Sequence, residues 1–315
     1  MSLIPYVEMH GRQVFRQPFT AKGVQFYGFI LPVDQNKLQT LICDPYLNHP
    51  ANGQTDFRAA GPFAMLVFNR LDSLSSTDPP DSNLGWFSEQ EAAIWVLTVD
   101  RKRERLLWFL PYIFVDNSYA MAMGRELYGF PKSLGQFNIP DNPASADLLS
   151  LDTLVLTEFN PQTKGTWERL FKAERVKKGS GGAPKVWTGF KELMQEIVKL
   201  LEMEHSFIRD LRLLYDSADD LLHGRLPMVF LKQFPNVTNP GYACYQSIVE
   251  VPSQMTHFNQ GCFLDGEYEV TINNYASHPV ADDLGLPSNK LAPVASFWVD
   301  FEFEIGNGAE VWRAA

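Results

Sequence analysis

Between Pro111 and Gly135 the chain carries an ordered set of groups able to act on a substrate: Asp116-Asn117, then Gly124-Arg125-Glu126, then Pro131-Lys132-Ser133-Leu134-Gly135. Asp116-Asn117 can cap a short helix over Ser118 to Leu127, after which turns at Gly129 and Pro131 present Lys132. A lysine offers either a cation or, once deprotonated, an amine nucleophile. Taken alone, Lys132 reads as a solvated loop cation, Arg125 and Glu126 as an ion pair at a helix end, and Glu89, beside Glu91, as a surface carboxylate. Other chemical signatures are missing from the sequence: Gly-x-Gly-x-x-Gly, Walker, Gly-x-Ser-x-Gly and His-Glu-x-x-His patterns do not occur. The six histidines, His10, His49, His205, His223, His257 and His278, never fall at the close spacing of a local metal site, so no metal and no cofactor is expected.

In order and spacing these groups resemble the acetoacetate decarboxylase family. That family's signature has a strand ending in Asp-Asn, a short Ala-rich helix ending in Gly-Arg-Glu, and a Pro-Lys-Lys-Leu-Gly loop whose first lysine forms a Schiff base. The resemblance implies that Lys132 is the nucleophile and, through the frame Gly85-Trp86-Phe87-Ser88-Glu89 followed by Ile94, that Glu89 is a catalytic carboxylate. Arg125, Glu126, Tyr128, Phe130 and Ser133 become candidate substrate-binding residues. Weaker likeness covers Phe26 to Leu38 and Val229 to Ile305. The chain departs from the family at three places: the second lysine of the signature is Ser133, the active-site arginine falls near Val24, and a second glutamate falls near Leu66.

Imine chemistry explains the need for a lysine. Loss of CO2 from a β-keto acid, or of a proton next to a carbonyl, leaves an electron pair that a protonated imine accepts as an enamine. The amine must attack as the free base, yet at its ordinary pKa of about 10.4 only roughly one lysine in a few thousand is neutral at pH 7. Burial or a neighbouring cation lowers that value, a route already established for acetoacetate decarboxylase itself. With Ser133 in place of the cation, burial among Tyr128, Phe130 and Leu134 is expected to supply the shift. The expected function is a Schiff-base lyase acting on a small oxo acid or ketone. The alternatives are aldolase or dehydratase chemistry on the same scaffold, or a catalytically silent small-molecule binder.

The elements that must position these groups read as short β segments broken by Pro, Gly, Asn and Asp. Strands are expected at Gln25–Leu31, Ala64–Asn69, Ala93–Val99, Leu106–Phe114, Leu151–Glu158, Pro227–Lys232, Ala243–Val251, Glu267–Ile272 and Ser296–Ile305. In the last of these, Phe297, Val299, Phe301, Phe303 and Ile305 alternate with a polar face that only Trp298 breaks, which implies one buried and one wetter face. A helical insertion at about 177–225 follows the Gly-rich stretch at 179–182. Its helical pattern starts after a capping Thr188 and reaches Leu222, where His223-Gly224 and Pro227 are stop signals. The expected fold is mainly β (α+β): one domain, 1–315, built as an antiparallel barrel or cone of acetoacetate decarboxylase type with short helices and that insertion.

Composition sets the outer bounds. Hydrophobic residues make up 45% of the 315 and charged residues 20%, the usage of a folded globular chain. Lys and Arg number 27 against 37 Asp and Glu, a formal charge of −10, so nucleic acid is not an expected partner. Leu106–Val115 is the longest nearly unbroken apolar run, about half of the roughly 20 residues a membrane helix needs. With no secretory signal pattern at the start, a cytoplasmic, non-membrane homo-oligomer is expected, and Cys43, Cys244 and Cys262 read as buried apolar residues.

Overall fold

The computed structural model describes residues 5–8, 11, 13–179, 185–204 and 223–314. Its strands are β1 (Phe19–Pro32), β2 (Phe57–Ser76), β3 (Phe87–Asp100), β4 (Arg105–Val115), β5 (Lys132–Asn138), β6 (Leu148–Val155), β7 (Thr166–Lys177), β8 (Val186–Trp187), β9 (Met228–Pro235), β10 (Ala243–Val251), β11 (Ser253–Phe263), β12 (Glu267–Ile272), β13 (Lys290–Leu291), β14 (Ala295–Ile305) and β15 (Ala309–Arg313). Three helices matter below: α1 (Gln35–Lys37), which runs on into π-helical turns over Leu38–Asn48, α2 (Ser118–Met123) and α3 (Phe190–Glu204).

Hydrogen bonding orders the strands β13-β12-β7-β6-β5-β4-β3-β2-β1-β14-β11-β8, with β9 joined to β4, β10 to β9 and β15 to β10. The expectation of a mainly β chain holds, with 51% strand and 16% helix. The expected barrel is not what the pairing gives: among the described residues the path ends at β13 on one side and β8 on the other without closing. The step from β4 to β5 is parallel rather than antiparallel, because α2 carries the chain back before β5 begins.

Long antiparallel neighbours form the centre, and their residues explain why. β1 reads Phe-Thr-Ala-Lys-Gly-Val-Gln-Phe-Tyr-Gly-Phe-Ile-Leu-Pro, and Phe19, Ala21, Tyr27, Phe29 and Leu31 are almost fully buried. β4 continues through Pro111, which can offer no backbone N–H. The register with β3 slips there, from Ile94 opposite Tyr112 to Val96 opposite Phe109, so the unpaired proline falls in a bulge. Trp298 lies within β14 and is buried, its Nε1 donating to Gln25 Oε1 at 2.9 Å. Both faces of β14 are therefore covered over Phe297–Val299, which corrects the one-sided reading of that strand.

The insertion contributes α3, which starts at Phe190 with Leu193 N donating to Gly189 O at 3.3 Å, so the cap is Gly189 rather than Thr188. Its amphipathic face buries Leu193 and Ile197, and the Phe190 ring lies 5.8 Å from Phe258 of β11. The rest of the expected helical stretch, 205–222, lies outside the described residues. Cys43 and Cys262 are buried as expected, whereas Cys244 is exposed at the start of β10. Among the described residues no helix is long and apolar enough to cross a membrane.

Candidate active site

The Asp116-Asn117 pair at the end of β4 does more than start a helix. Asn117 Oδ1 accepts from Ala120 N at 2.9 Å and caps α2, while Asn117 Nδ2 donates to Ser88 O at 3.1 Å. That second bond fastens the start of α2 beside the residue preceding Glu89. After α2 a π-helical turn, Gly124–Tyr128, ends at Gly129, whose φ of 83° suits glycine. Phe130 N then donates back to Gly124 O at 3.0 Å, and the chain enters β5 at Lys132. The Lys132 stem passes directly under Gly124, where an added Cβ would lie 2.7 Å from Lys132 Cδ.

Register decides which side chains share a face. Lys132 pairs with Ile113, Ile113 with Ala93, Ala93 with Val67, Val67 with Gly28 and Gly28 with Phe297, so this row projects to one side of the sheet. Along β3, Glu91 and Glu89 lie two and four residues before Ala93 and project the same way. Asn69 lies opposite Glu91 and Phe26 opposite Asn69. Beyond them, the Phe26 ring packs 6.0 Å from Trp95, 6.0 Å from Phe297 and 6.1 Å from Phe301.

Within this face Lys132 Nζ donates to Glu89 Oε1 at 2.7 Å and lies 3.4 Å from Glu91 Oε2. All three are withdrawn from solvent, with side-chain exposures of 8% for Lys132, 3% for Glu89 and 13% for Glu91. Asn69 Nδ2 donates to Glu91 Oε1 at 3.3 Å and holds it in place. The ammonium also lies 5.8 Å from the centre of the Phe130 ring. Burial raises the Glu89 carboxyl to about 7, with Lys132 pulling it down and Glu91 pushing it up. For Lys132, burial pulls the amine down, but the two carboxylates outweigh it and leave its pKa raised. This corrects the expectation that burial alone would lower it: the sequence reading placed Glu89 in the site but left out the pull of Glu89 and Glu91 on the amine. A proton can pass over 2.7 Å from Lys132 to Glu89, converting an ammonium and a carboxylate into two neutral groups that burial favours.

The other candidates are more scattered. Arg125 and Glu126 are exposed, and Arg125 Nη1 donates to the Lys132 carbonyl at 3.2 Å, away from its amine. Tyr128 and Phe130 are buried: Tyr128 donates to Gly306 O at 2.9 Å, and the Phe130 ring lies 5.2 Å from Tyr128 and 4.2 Å from Phe230. Ser133 follows Lys132 in the strand and pairs with Phe114, so it projects to the opposite face. Leu134 is 42% exposed and does not help bury the amine. Val24 and Leu66 are both buried apolar residues, Leu66 on the side away from Lys132. Sequence reasoning passed over Glu91 and Asn69, although Glu89-x-Glu91 within a strand carries the period-two signal that puts both carboxylates on one face. A surface cleft of about 480 Å³ between Asp44, His49, Asp56, Arg58 and Lys102 shares no residue with this site.

Comparison with known proteins bears on the segment that carries these groups. Residues 57–157 match the acetoacetate decarboxylase (ADC) family. Asn69, Glu89, Glu91 and Lys132 all fall inside the matched stretch, and the resemblance read from the sequence stands. No curated protein sequence matches the chain. Among solved structures, acetoacetate decarboxylase from Legionella pneumophila subsp. pneumophila str. Philadelphia 1 superposes with a TM-score of 0.64 at 14% identity, covering 99% of this chain and 93% of the other. An acetoacetate decarboxylase-like enzyme from Sphingomonas wittichii RW1 gives 0.60 at 15% identity, with 96% of each chain covered. The enduracididine biosynthesis enzyme MppR, complexed with the condensation product of pyruvate and imidazole 4-carboxaldehyde, gives 0.54 at 15% identity over 96% of this chain and 92% of that one. At such identities the shared property is the acetoacetate decarboxylase-like fold.

Proposed function

We propose that the chain is an imine-forming enzyme that acts through Lys132 on a small carbonyl compound, an oxo acid or a ketone. The observation that carries this reading is the buried 2.7 Å contact between Lys132 Nζ and Glu89 Oε1 inside the family-matched segment. Glu89 takes the ammonium proton, the free amine adds to the carbonyl carbon, and the carbonyl oxygen gains a proton to give a carbinolamine. Loss of that oxygen as water leaves the protonated imine. When a neighbouring C–C or C–H bond breaks, its electron pair moves into the imine to form an enamine. Reprotonation at carbon and hydrolysis then release product and amine. Decarboxylation is one outcome; aldol cleavage and dehydration are a second reading, favoured by the two carboxylates beside the amine. Incubation with small ketones and oxo acids, borohydride reduction and peptide mapping should place the adduct on Lys132. Adduct confined to other lysines, such as Lys22 or Lys232, in a folded preparation would overturn the assignment. Failure to form any reduced adduct would leave the chain as a reversible binder.

A further inference from the structure

The charge balance around Lys132 limits what it can accept. We infer that Glu91 is a specificity-determining residue that closes the Lys132 site to carboxylates and reserves it for uncharged carbonyl compounds. The inference rests on the imine reading above and narrows its substrate class.

One ammonium faces two carboxylates, Glu89 at 2.7 Å and Glu91 at 3.4 Å. Among the described residues, the charged side chains acting on Glu89 and Lys132 are each other, Glu91 and Asp116; no arginine and no second lysine is among them. Arg125 reaches only the Lys132 carbonyl. Glu91 does not swing freely, because Asn69, itself 7% exposed, donates to it at 3.3 Å. A substrate imine carries at most the one positive charge the ammonium had, so a carboxylate beside the carbonyl would be a third anion in a buried site with a single cation.

The remainder of the face offers polar atoms without charge. Trp95, next after Ala93 on the Glu89–Glu91 face of β3, is 9% exposed, and its indole Nε1–H has no hydrogen-bond partner; neither has Asn69 Oδ1. Ile113, Ala93, Val67, Phe26 and Phe297 supply apolar and aromatic surface. Next to Lys132 itself the same face offers Ile113 and then Ala93, apolar surface with no cation, which suits a ketone or aldehyde and not a bare carboxylate.

Two compounds of similar shape test this: 2-butanone and pyruvate, which differ by an ethyl group in place of a carboxylate. Lys132 adduct formation under cyanoborohydride is measured for each and divided by the rate for Nα-acetyllysine, which removes intrinsic carbonyl reactivity. For a carboxylate about 5 Å from Glu91 at an effective dielectric near 20, the expected preference for 2-butanone is about 10²-fold. In Glu91→Gln the preference should fall to within a few-fold while Lys132 remains the labelled residue. Methyl pyruvate, which masks the charge of pyruvate, should recover most of the lost rate in the unaltered protein, a readout independent of whether the variant folds. Equal normalised rates for pyruvate and 2-butanone overturn the substrate class and leave the imine reading standing. An undiminished preference in folded Glu91→Gln overturns the role of Glu91. Absence of any Lys132 adduct with all three compounds removes the imine reading and this inference with it.

Discussion

Replacing Lys132 with Met keeps an unbranched stem in the same space and deletes the charge, which isolates what the ammonium does for its neighbours. Glu89 then becomes a buried carboxyl that has lost both the attraction and the hydrogen bond that pulled its pKa down, while Glu91 still pushes it up. In the unaltered protein Glu89 is already raised from 4.5 to about 7, and in the variant it must lie higher. A group whose folded pKa exceeds its unfolded value contributes stability below the unfolded pKa and loses it as pH rises through the folded pKa. Both proteins lose that contribution together between 4.5 and about 7, so their difference is nearly flat there. Above 7 the unaltered protein has an ionised Glu89 paired with an ammonium and loses nothing more through this group. The variant must keep the proton or bury an unpaired anion, which costs about 1.36 kcal/mol for each pH unit. By pH 9, two units higher, the Lys132→Met penalty should exceed its pH 6 value by about 3 kcal/mol, comparable to breaking a buried ion pair. Urea denaturation of both proteins at pH 6 and pH 9, with linear extrapolation, measures it. A penalty at pH 9 equal to or smaller than that at pH 6 would refute the reasoning, because it would mean Glu89 does not depend on Lys132 for its charge.

Glu89→Gln keeps the shape and removes the proton acceptor, so protein-catalysed exchange of the α-hydrogens of 2-butanone into D2O should slow by about 10²-fold with the fold intact; an unchanged exchange rate would remove Glu89 from the mechanism. Gly124→Ala places a methyl 2.7 Å from Lys132 Cδ and 3.1 Å from Cε, displacing the amine from Glu89. Trapping on Lys132 should fall by about 10²-fold for a displacement near 1 Å, in a protein that circular dichroism shows to be folded although destabilised by the overpacking; trapping at the original rate would show that the stem has room to spare.

The sequence exposed those parts of the site whose signals are local. Asp116-Asn117 announced a strand end and a helix start, and the structure uses Asn117 as the cap of α2. Alternation and β-branched content disclosed the central strands, with β10 and β12 matched to the residue. β7 stayed hidden because Glu168, Arg169, Lys172, Glu174 and Arg175 intersperse its buried Leu170, Phe171 and Ala173, which reads as a polar stretch until β6 and β12 flank it. β11 hid for a similar reason, being exposed along much of its length. Glu91 was discounted because a carboxylate is ordinarily a surface residue. Only the lateral pairing of β3 with Asn69 on β2, and the return of β5 beside β4, turns it toward an amine 41 residues further on. Arg125 and Glu126 lie in the signature, but the turn that delivers Lys132 leaves both in solvent.

The pairing of β1 with β14 joins Phe19 to Ile305, 286 positions apart, whereas Asn69 meets Glu91 across 22. Because closure entropy grows with the logarithm of the separation, bringing the first pair together costs about 2 kcal/mol more than the second. Asn69, Glu89, Glu91 and Lys132 come from strands that neighbour one another in the chain, while Phe297 and Phe301 arrive on β14 near its far end. Low contact order favours the early formation of the charged half. Lys132 and its two carboxylates belong to this nearer half, so they can meet while water still surrounds them, when pairing carries little desolvation cost. The charged cluster is thus assembled within residues 69–132, and the β1–β14 seam is a separate closure with its own, larger entropy cost.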